Sequence, residues 1–223
     1  MNFSEEIARI SFQTGAIRLN PETPFLWASG YHMPIYNDNR LLLGNSSHRR
    51  LIADGFRDII INKKLDFDLI AGTATAGIPP ATSLANLLET PLIYVRPNPK
   101  EYGMKNKIEG ILLEDQKVVL VEDLISTGGS ALKAVTAIRE ARGKVDHCLS
   151  IFSYSFSKAT EHFKNAQCHL HNLLSFEKLI SLAIKNNNIN SNQFDLLQAW
   201  HSDPFNWGRK NGFDGKKDNK TIL

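Results

Sequence analysis

The sequence predicts an α/β fold in which a central parallel sheet is flanked by helices. Short apolar runs of strand length are separated by stretches with helical spacing, and glycine-rich turns join several of them. The strands are expected at 69–71, 92–95, 117–121 and 148–154, and the helices between them at about 79–88 and 131–142. Strands that alternate with helices of this length form parallel sheets through crossover connections.

The rest of the chain is predicted from the same patterns. Further helices are expected at about 4–13, 46–62, 176–185 and 191–200. Residues 20–40 mix prolines, aromatic residues and Ser29-Gly30, which favours short strands and turns. Residues 1–207 are expected to form a single domain, and the Lys-, Gly- and Asn-rich residues 208–223 a disordered tail.

Composition narrows the class of protein. The chain has 223 residues, 42% of them apolar and 22% charged, with a net charge of +3, as expected for one globular domain. The small charge argues against nucleic-acid binding, and no apolar run has membrane-spanning length. No leader peptide is recognisable, so a cytoplasmic protein is expected, with Cys148 and Cys168 reduced; a disulfide between them is the alternative.

The most informative segment runs from Val118 to Ser130. The buried strand ends in Glu122-Asp123, and Ser126, Thr127, two glycines and Ser130 follow before the next helix. A strand that enters a glycine-rich turn and then a helix N-terminus offers N–H groups and a positive dipole to an anion. Phosphate in the turn, with hydroxyls or a divalent metal at the carboxylates, would describe a sugar phosphate. A loop whose acidic residues only cap a helix is the structural alternative.

Two more segments could contact the same ligand. The small residues of 72–77, before Ile78-Pro79, would let the backbone approach an anion, although simple strand-to-helix turns have similar composition. The Lys-rich segment 96–110 could close over an anion and exclude water, although many such loops are only solvated hairpins. The seven histidines and two cysteines show no spacing typical of a metal site, so no metal-ligating residues are predicted.

The 122–130 segment resembles the ribose-5-phosphate signature of type I phosphoribosyltransferases, which use phosphoribosyl pyrophosphate (PRPP). Together with the stretch Phe25 to Arg40, the turn 72–79 and Ile108-Glu109-Gly110, it resembles the orotate phosphoribosyltransferases over about residues 12–155. The resemblance implies the type I phosphoribosyltransferase fold, with a small N-terminal hood at about 12–40. It also implies transfer of a phosphoribosyl group from PRPP to orotate, giving orotidine 5′-monophosphate and pyrophosphate in pyrimidine biosynthesis.

The same resemblance implies the roles of individual residues. Glu122, Asp123 and Lys100 would be catalytic, and orotate would lie against Ser126, Ser29, Gly30 and Tyr31. PRPP would be bound by Thr73, Ala74, Arg96, Lys100, Tyr102, Glu122, Asp123, Leu124, Ile125, Ser126, Thr127, Gly128, Gly129 and Ser130. Mg²⁺ would be held mainly through PRPP. A homodimer is implied, with the 97–110 loop reaching the neighbouring site.

Two other functions are compatible with these residues. One is a phosphoribosyltransferase for another nucleobase, and the other is a non-catalytic PRPP-binding regulator. The chain also departs from the family at Tyr102, where a histidine commonly follows the loop lysine. A phenol can bond a phosphate but has no positive charge near neutral pH.

Overall fold

The structure is a computed structural model that describes residues 2–27, 29–98 and 107–213. In this part of the chain the strands are β1 (Ile17–Leu19), β2 (Phe25–Leu26), β3 (His32–Met33), β4 (Ile35–Asn37), β5 (Leu69–Thr73), β6 (Leu92–Val95), β7 (Ile108–Glu109), β8 (Lys117–Ile125), β9 (Lys144–Ser153) and β10 (His169–Ser175). The α-helices are α1 (Phe3–Thr14), α2 (Ser46–Lys63), α3 (Ile78–Leu88), α4 (Gly129–Glu140), α5 (Ser157–Asn165), α6 (Phe176–Lys185), α7 (Ser191–Ser202) and α8 (Pro204–Lys210). A 3₁₀ helix spans Asn39–Gly44.

A six-stranded sheet in the order β10-β9-β8-β5-β6-β7 forms the centre of the molecule. All neighbours are parallel except β7, which pairs antiparallel with β6. The predicted α/β fold with a central parallel sheet is therefore confirmed. Because the ends of parallel strands meet at one edge, the turns after β5, β6 and β8 lie together.

The core is divided between the two faces of this sheet. Along β8, Val119 and Val121 pack into one apolar cluster with residues of α1, α2, α3, α6 and α7. Val118 and Leu120 alternate with them and pack into a second cluster with α4 and α5. Burial on both faces explains why β8 is a continuous apolar run in the sequence.

Two boundaries differ from the prediction in a way that matters for function. β8 continues to Ile125 and α4 begins at Gly129, so Glu122 and Asp123 lie inside the strand instead of after it. The pairing with β9 extends to Ile125, opposite Ser153, which holds these carboxylates in strand geometry. The hydrophobic pattern did not predict this extension because Glu122 and Asp123 interrupt the apolar run before Leu124 and the buried Ile125.

The N-terminal segment forms the predicted short strands and turns. β1 pairs with β4 and β2 with β3, each as a two-stranded antiparallel sheet. Met33 and Ile35 are fully buried in the first core cluster, so this segment packs on the sheet instead of standing apart from it.

The folded domain extends beyond residue 207, the C-terminal boundary predicted from the sequence. Residues 208–213 were expected in a disordered tail, but α8 continues to Lys210 and a turn follows it. Two aromatic side chains hold this end: Trp207 is buried and stacks on Phe213, with ring centroids 5.7 Å apart. The remaining tail, 214–223, lies outside the described residues.

The two cysteines are free thiols, and both are buried. Cys148 lies in β9, beside Leu120 of β8, and Cys168 directly precedes β10. Burial raises the pKa of Cys148 well above its ordinary value and that of Cys168 to about 12. No helix in the described ranges is long and apolar enough to cross a membrane.

Candidate active site

A cavity of about 440 Å³ opens at the carboxyl ends of β5, β6 and β8. It brings together nine residues predicted to bind PRPP: Thr73, Ala74, Arg96, Leu124, Ser126, Thr127, Gly128, Gly129 and Ser130. Ile125, also predicted to bind, is buried in the second core cluster, and its carbonyl accepts the N–H of Tyr154. Its side chain therefore supports the turn from below.

The start of α4 presents unpaired N–H donors at this cavity. Gly128 precedes the helix with φ +84°, a conformation that favours glycine, and no atom lies within 4 Å of a Cβ built on Gly129. Four backbone N–H groups have no hydrogen-bond acceptor among the described residues: those of Gly128, Gly129, Ser130 and Ala131. Four free donors at a helix N-terminus form a ready site for a phosphate.

Two predicted carboxyls, Glu122 and Asp123, lie next to this cavity but are not among the residues that line it. Glu122 is only 5% exposed; its Oε2 accepts the hydroxyl of Ser130 at 3.1 Å, and its Oε1 accepts the N–H of Asp123 at 3.1 Å. Burial, then the neighbouring charge of Asp123, raise the pKa of Glu122 to about 8. Burial also raises the pKa of Asp123. The pair therefore holds a proton more tightly than two solvent-exposed carboxyls would.

The motif Asp38-Asn39-Arg40 holds the end of β8 in place. The buried Asn39 donates its Nδ2–H to the carbonyl of Asp123 at 2.8 Å, which ties the 3₁₀ helix to the acidic pair. Arg40 bonds Asp38 through Nε at 2.6 Å, and this bond keeps the pKa of Asp38 below its ordinary value. The motif therefore reaches the site through its backbone contact with β8.

The turn after β5 forms the opposite wall. The Thr73 hydroxyl donates to the carbonyl of Val121 at 3.3 Å, and the Ala74 N–H donates to the carbonyl of Val95 at 2.8 Å. The Ala74–Thr75 peptide is cis. A Cβ on Gly77 would lie 2.6 Å from the Val121 carbonyl oxygen, so only glycine lets α3 start this close to β8.

Arg96 lies at the cavity mouth, where its Nη1 is 3.3 Å from Oε1 of Glu109. Its backbone N–H donates to Lys107, which joins the two ends of the predicted loop. Lys100 and Tyr102, predicted for the same loop, lie outside the described residues.

The residues predicted to contact orotate do not all meet here. Ser126 lines the cavity, whereas Ser29, Gly30 and Tyr31 form the turn between β2 and β3 and are absent from its lining. The half-exposed Tyr31 ring makes an edge contact with Phe205 of α8, with centroids 5.4 Å apart. This turn is therefore braced by the C-terminal helix, which the sequence did not predict.

Sequence reasoning missed two side chains at the site. Lys133 lines the cavity one helical turn after Gly129, a position that the i, i+4 spacing of α4 could have indicated. The Nδ1 of His162 lies 3.1 Å from the carbonyl oxygen of Thr127. Nothing predicted this contact, because α5 has too few apolar residues to be recognised as a helix.

No three His, Cys, Asp or Glu residues in the described ranges are grouped to hold a metal ion. The carboxyl oxygens of Glu122 and Asp123 are the candidate metal ligands at the site. Each of the two Glu122 oxygens already accepts one hydrogen bond. Such a donor set fits a hydrated Mg²⁺ carried by phosphate oxygens, since this ion keeps several of its waters.

Comparisons with known proteins agree with this geometry. Residues 46–168 match the family model of the phosphoribosyl transferase domain. An orotate phosphoribosyltransferase of Cytophaga hutchinsonii is 46% identical, covering 93% of this chain and 99% of the relative. One of Listeria monocytogenes is 41% identical, covering 94% and 100%.

Solved structures give the same result. Orotate phosphoribosyltransferase from Aeropyrum pernix superposes with a TM-score of 0.71 at 26% identity, covering 82% of this chain and 99% of that one. UMP synthase of Leishmania donovani superposes with a TM-score of 0.76 at 27% identity, covering 89% and 42%. The chain therefore has the type I phosphoribosyltransferase fold and belongs to the orotate phosphoribosyltransferase family.

Proposed function

We propose that the cavity at the end of β8 is where this chain transfers the phosphoribosyl group of PRPP to orotate. The ring nitrogen of orotate attacks the anomeric carbon, the bond to pyrophosphate breaks, and orotidine 5′-monophosphate forms. The observation that carries the proposal is the open start of α4, with its free N–H groups above the buried Glu122.

The 5-phosphate of PRPP would occupy the turn of Ser126, Thr127, Gly128, Gly129 and Ser130. The free N–H groups and the hydroxyls there can donate to its oxygens, and the dipole of α4 favours its charge. Leu124, at the cavity wall, and Ile125, in the core, would support this turn. Binding the phosphate in a fixed position would hold the anomeric carbon in place for attack.

Glu122 and Asp123 would lie beneath the ribose. Their oxygens can accept from ribose hydroxyls, and a carboxylate close to the ring stabilises the positive charge that develops as pyrophosphate leaves. The Asp123 carbonyl accepts a hydrogen bond from Asn39, and this bond would hold the pair in position beneath the ring.

The leaving pyrophosphate would lie between Arg96 and the turn at Thr73 and Ala74, on the opposite side of the cavity. Lys100 and Tyr102 are proposed to contact it on the strength of the family resemblance. Mg²⁺ bound through PRPP oxygens would neutralise part of the pyrophosphate charge.

Orotate would approach from the hood, against Ser126, with Ser29, Gly30 and Tyr31 closing over it. Gly30 adopts φ +85°, and its N–H donates to the Trp27 carbonyl at 2.8 Å, so the turn between β2 and β3 has a fixed shape. A turn with a fixed conformation can present its backbone N–H and C=O groups to a planar base.

A cytoplasmic homodimer is also proposed, in which each chain forms a single domain and the 97–110 loop reaches the neighbouring site. Ile111 and Leu113 follow that loop and are 78% and 59% exposed, which supports a subunit contact there. Sedimentation velocity should give a dimer for the full chain, and Ile111→Ser should weaken it. A monomeric wild type would contradict the proposal.

The reaction is tested by following orotate absorbance with PRPP and Mg²⁺. Loss of orotate with equimolar release of pyrophosphate is expected. Turnover of another nucleobase in place of orotate would indicate a different phosphoribosyltransferase. PRPP binding without any release of pyrophosphate would indicate a regulator.

A further inference from the structure

The helix α5 touches the phosphate-binding turn at two adjacent residues. His162 Nδ1 lies 3.1 Å from the Thr127 carbonyl oxygen. The neighbouring Phe163 is buried, and its ring lies 2.9 Å from where a Cβ on Gly128 would be. His162 thus contacts the peptide unit that joins Thr127 to Gly128, and Phe163 restricts the space beside Gly128.

The chemistry of the first contact is fixed by its acceptor. A carbonyl oxygen can only accept, so Nδ1 of His162 carries the proton and donates it. The Thr127–Gly128 peptide is trans, and in a planar trans peptide the C=O and the N–H point in opposite directions. Since the C=O points toward α5, the Gly128 N–H points away from α5.

That N–H has no acceptor in the described ranges, and both Thr127 and Gly128 line the cavity. The glycine conformation would otherwise allow this peptide to rotate, because Gly128 at φ +84° has many accessible alternatives. A rotated peptide would present a carbonyl oxygen to the phosphate, and the two would repel each other.

We infer that His162 is a positioning residue for the 5-phosphate of PRPP. Its Nδ1–H holds the Thr127 carbonyl toward α5, so the Gly128 N–H stays available to the ligand, while the Phe163 ring leaves no room for a side chain at Gly128. This inference rests on the proposal that residues 126–130 hold the 5-phosphate. It goes further by assigning a function to α5, which contributes none of the residues predicted from the sequence.

The test compares His162→Phe with His162→Asn in the full chain. Phenylalanine keeps the ring but removes the donor, whereas the amide of asparagine can replace Nδ1–H. The loss of one such bond predicts about fivefold weaker ribose 5-phosphate binding by calorimetry and a similar rise in KM for PRPP in His162→Phe. KM for orotate should stay unchanged, and His162→Asn should recover most of the affinity.

His201→Phe is the matched control. His201 also contacts a backbone carbonyl, with Nε2 2.6 Å from the oxygen of Tyr154, but that carbonyl does not line the cavity. This variant should lose thermal stability without a selective loss of ribose 5-phosphate binding.

Three results would overturn the inference. Unchanged ribose 5-phosphate binding in His162→Phe would remove the positioning function. Equal rises in both KM values, with a lowered melting temperature and no recovery in His162→Asn, would indicate general structural support. Failure of the wild type itself to bind ribose 5-phosphate would contradict the proposed phosphate site and, with it, this inference.

Discussion

The connections β5–α3 and β8–α4 are built alike, as a buried parallel strand, a glycine-containing turn and a helix, but they offer different groups to a ligand. At the start of α3, the N–H groups of Gly77, Ile78 and Ala81 are bonded to Thr73, Thr75 and Gly77, and Pro79 and Pro80 have none to donate. At the start of α4, four successive N–H groups are free in the described structure.

The glycines of the two connections also have different purposes. Gly77 has an ordinary negative φ and is needed because two backbones meet: the carbonyl oxygens of Val121 and Thr73 would lie 2.6 and 2.8 Å from its Cβ. Gly128 is needed for its positive φ. The comparison shows that two glycine-containing turns can differ in whether their N–H donors are left unpaired for a ligand, which composition alone does not reveal.

The largest effect is expected for Gly77→Ala. The added methyl group meets backbone atoms that cannot rotate away, so the free energy of unfolding should fall by about 3 kcal/mol. Urea denaturation followed by circular dichroism measures it. Gly44→Ala is the control, because no atom lies within 4 Å of its Cβ. Similar stability of both variants would show that α3 can move away from β8.

Gly128→Ala should affect binding more than folding. Strain in the left-handed region and contact with Phe163 would shift the Thr127–Gly128 peptide, so PRPP affinity should fall about tenfold or more, with about 1–2 kcal/mol of stability lost. Calorimetric titration with PRPP, beside denaturation of the same sample, separates the two effects. Gly129→Ala, at a position with free space, should keep wild-type stability. A larger loss of stability than of affinity in Gly128→Ala would erase the contrast with Gly77.

The two turns also differ in the polar side chain buried next to them: Thr73 has a hydroxyl, whereas Glu122 has a carboxyl that can lose a proton. Replacing Glu122 is expected to have the smallest effect of the three changes. The pKa of Glu122 in the folded state, about 8, is above its ordinary value of 4.5, so the folded protein holds this proton more tightly than the unfolded chain does. Its contribution to stability is complete below about pH 4.5 and is lost as the pH rises through 8.

Glu122→Gln should therefore be more stable than the wild type at pH 9, by about 1 kcal/mol, and show a smaller difference at pH 5. Turnover should fall at both pH values, because the carboxyl is lost from beneath the ribose. Melting curves across this pH range measure the effect on stability. A difference that grows toward acid would mean that Glu122 is ionised in the folded protein.

Much of the fold could be predicted because apolar periodicity encodes it. The runs at 92–95 and 176–185 became β6 and α6 with the same bounds, since both elements bury apolar side chains. α5 and β10 could not be predicted: α5 buries only Ala159 and Phe163, and β10 is interrupted by His171 and Asn172. The positions of α5 and β10 depend on contacts with the rest of the fold instead of on an apolar pattern of their own.

The site shows the same division. Thr127, Gly128 and Ser130 line the cavity, and their position could be predicted because their residue types and order indicate a turn between a strand and a helix. The contacts of Asn39 with Asp123 and of His162 with Thr127 join residues 84 and 35 positions apart, and no local pattern encodes them. The groups that would touch the ligand were thus accessible from sequence, whereas those that hold them in place required the fold.

The two buried free thiols make the molecule suited to thiol-labelling experiments that need no engineered cysteine. A thiol reacts as its thiolate, so neither cysteine should combine with a maleimide until its surroundings open. Cys148 is enclosed in β9, between β8 and β10, whereas Cys168 follows α5, and its N–H donates to the Phe163 carbonyl at 3.0 Å. Mass spectrometry of the alkylated chain would therefore time two events separately: local release of α5 from the turn at Thr127 and Gly128, and global separation of the strands.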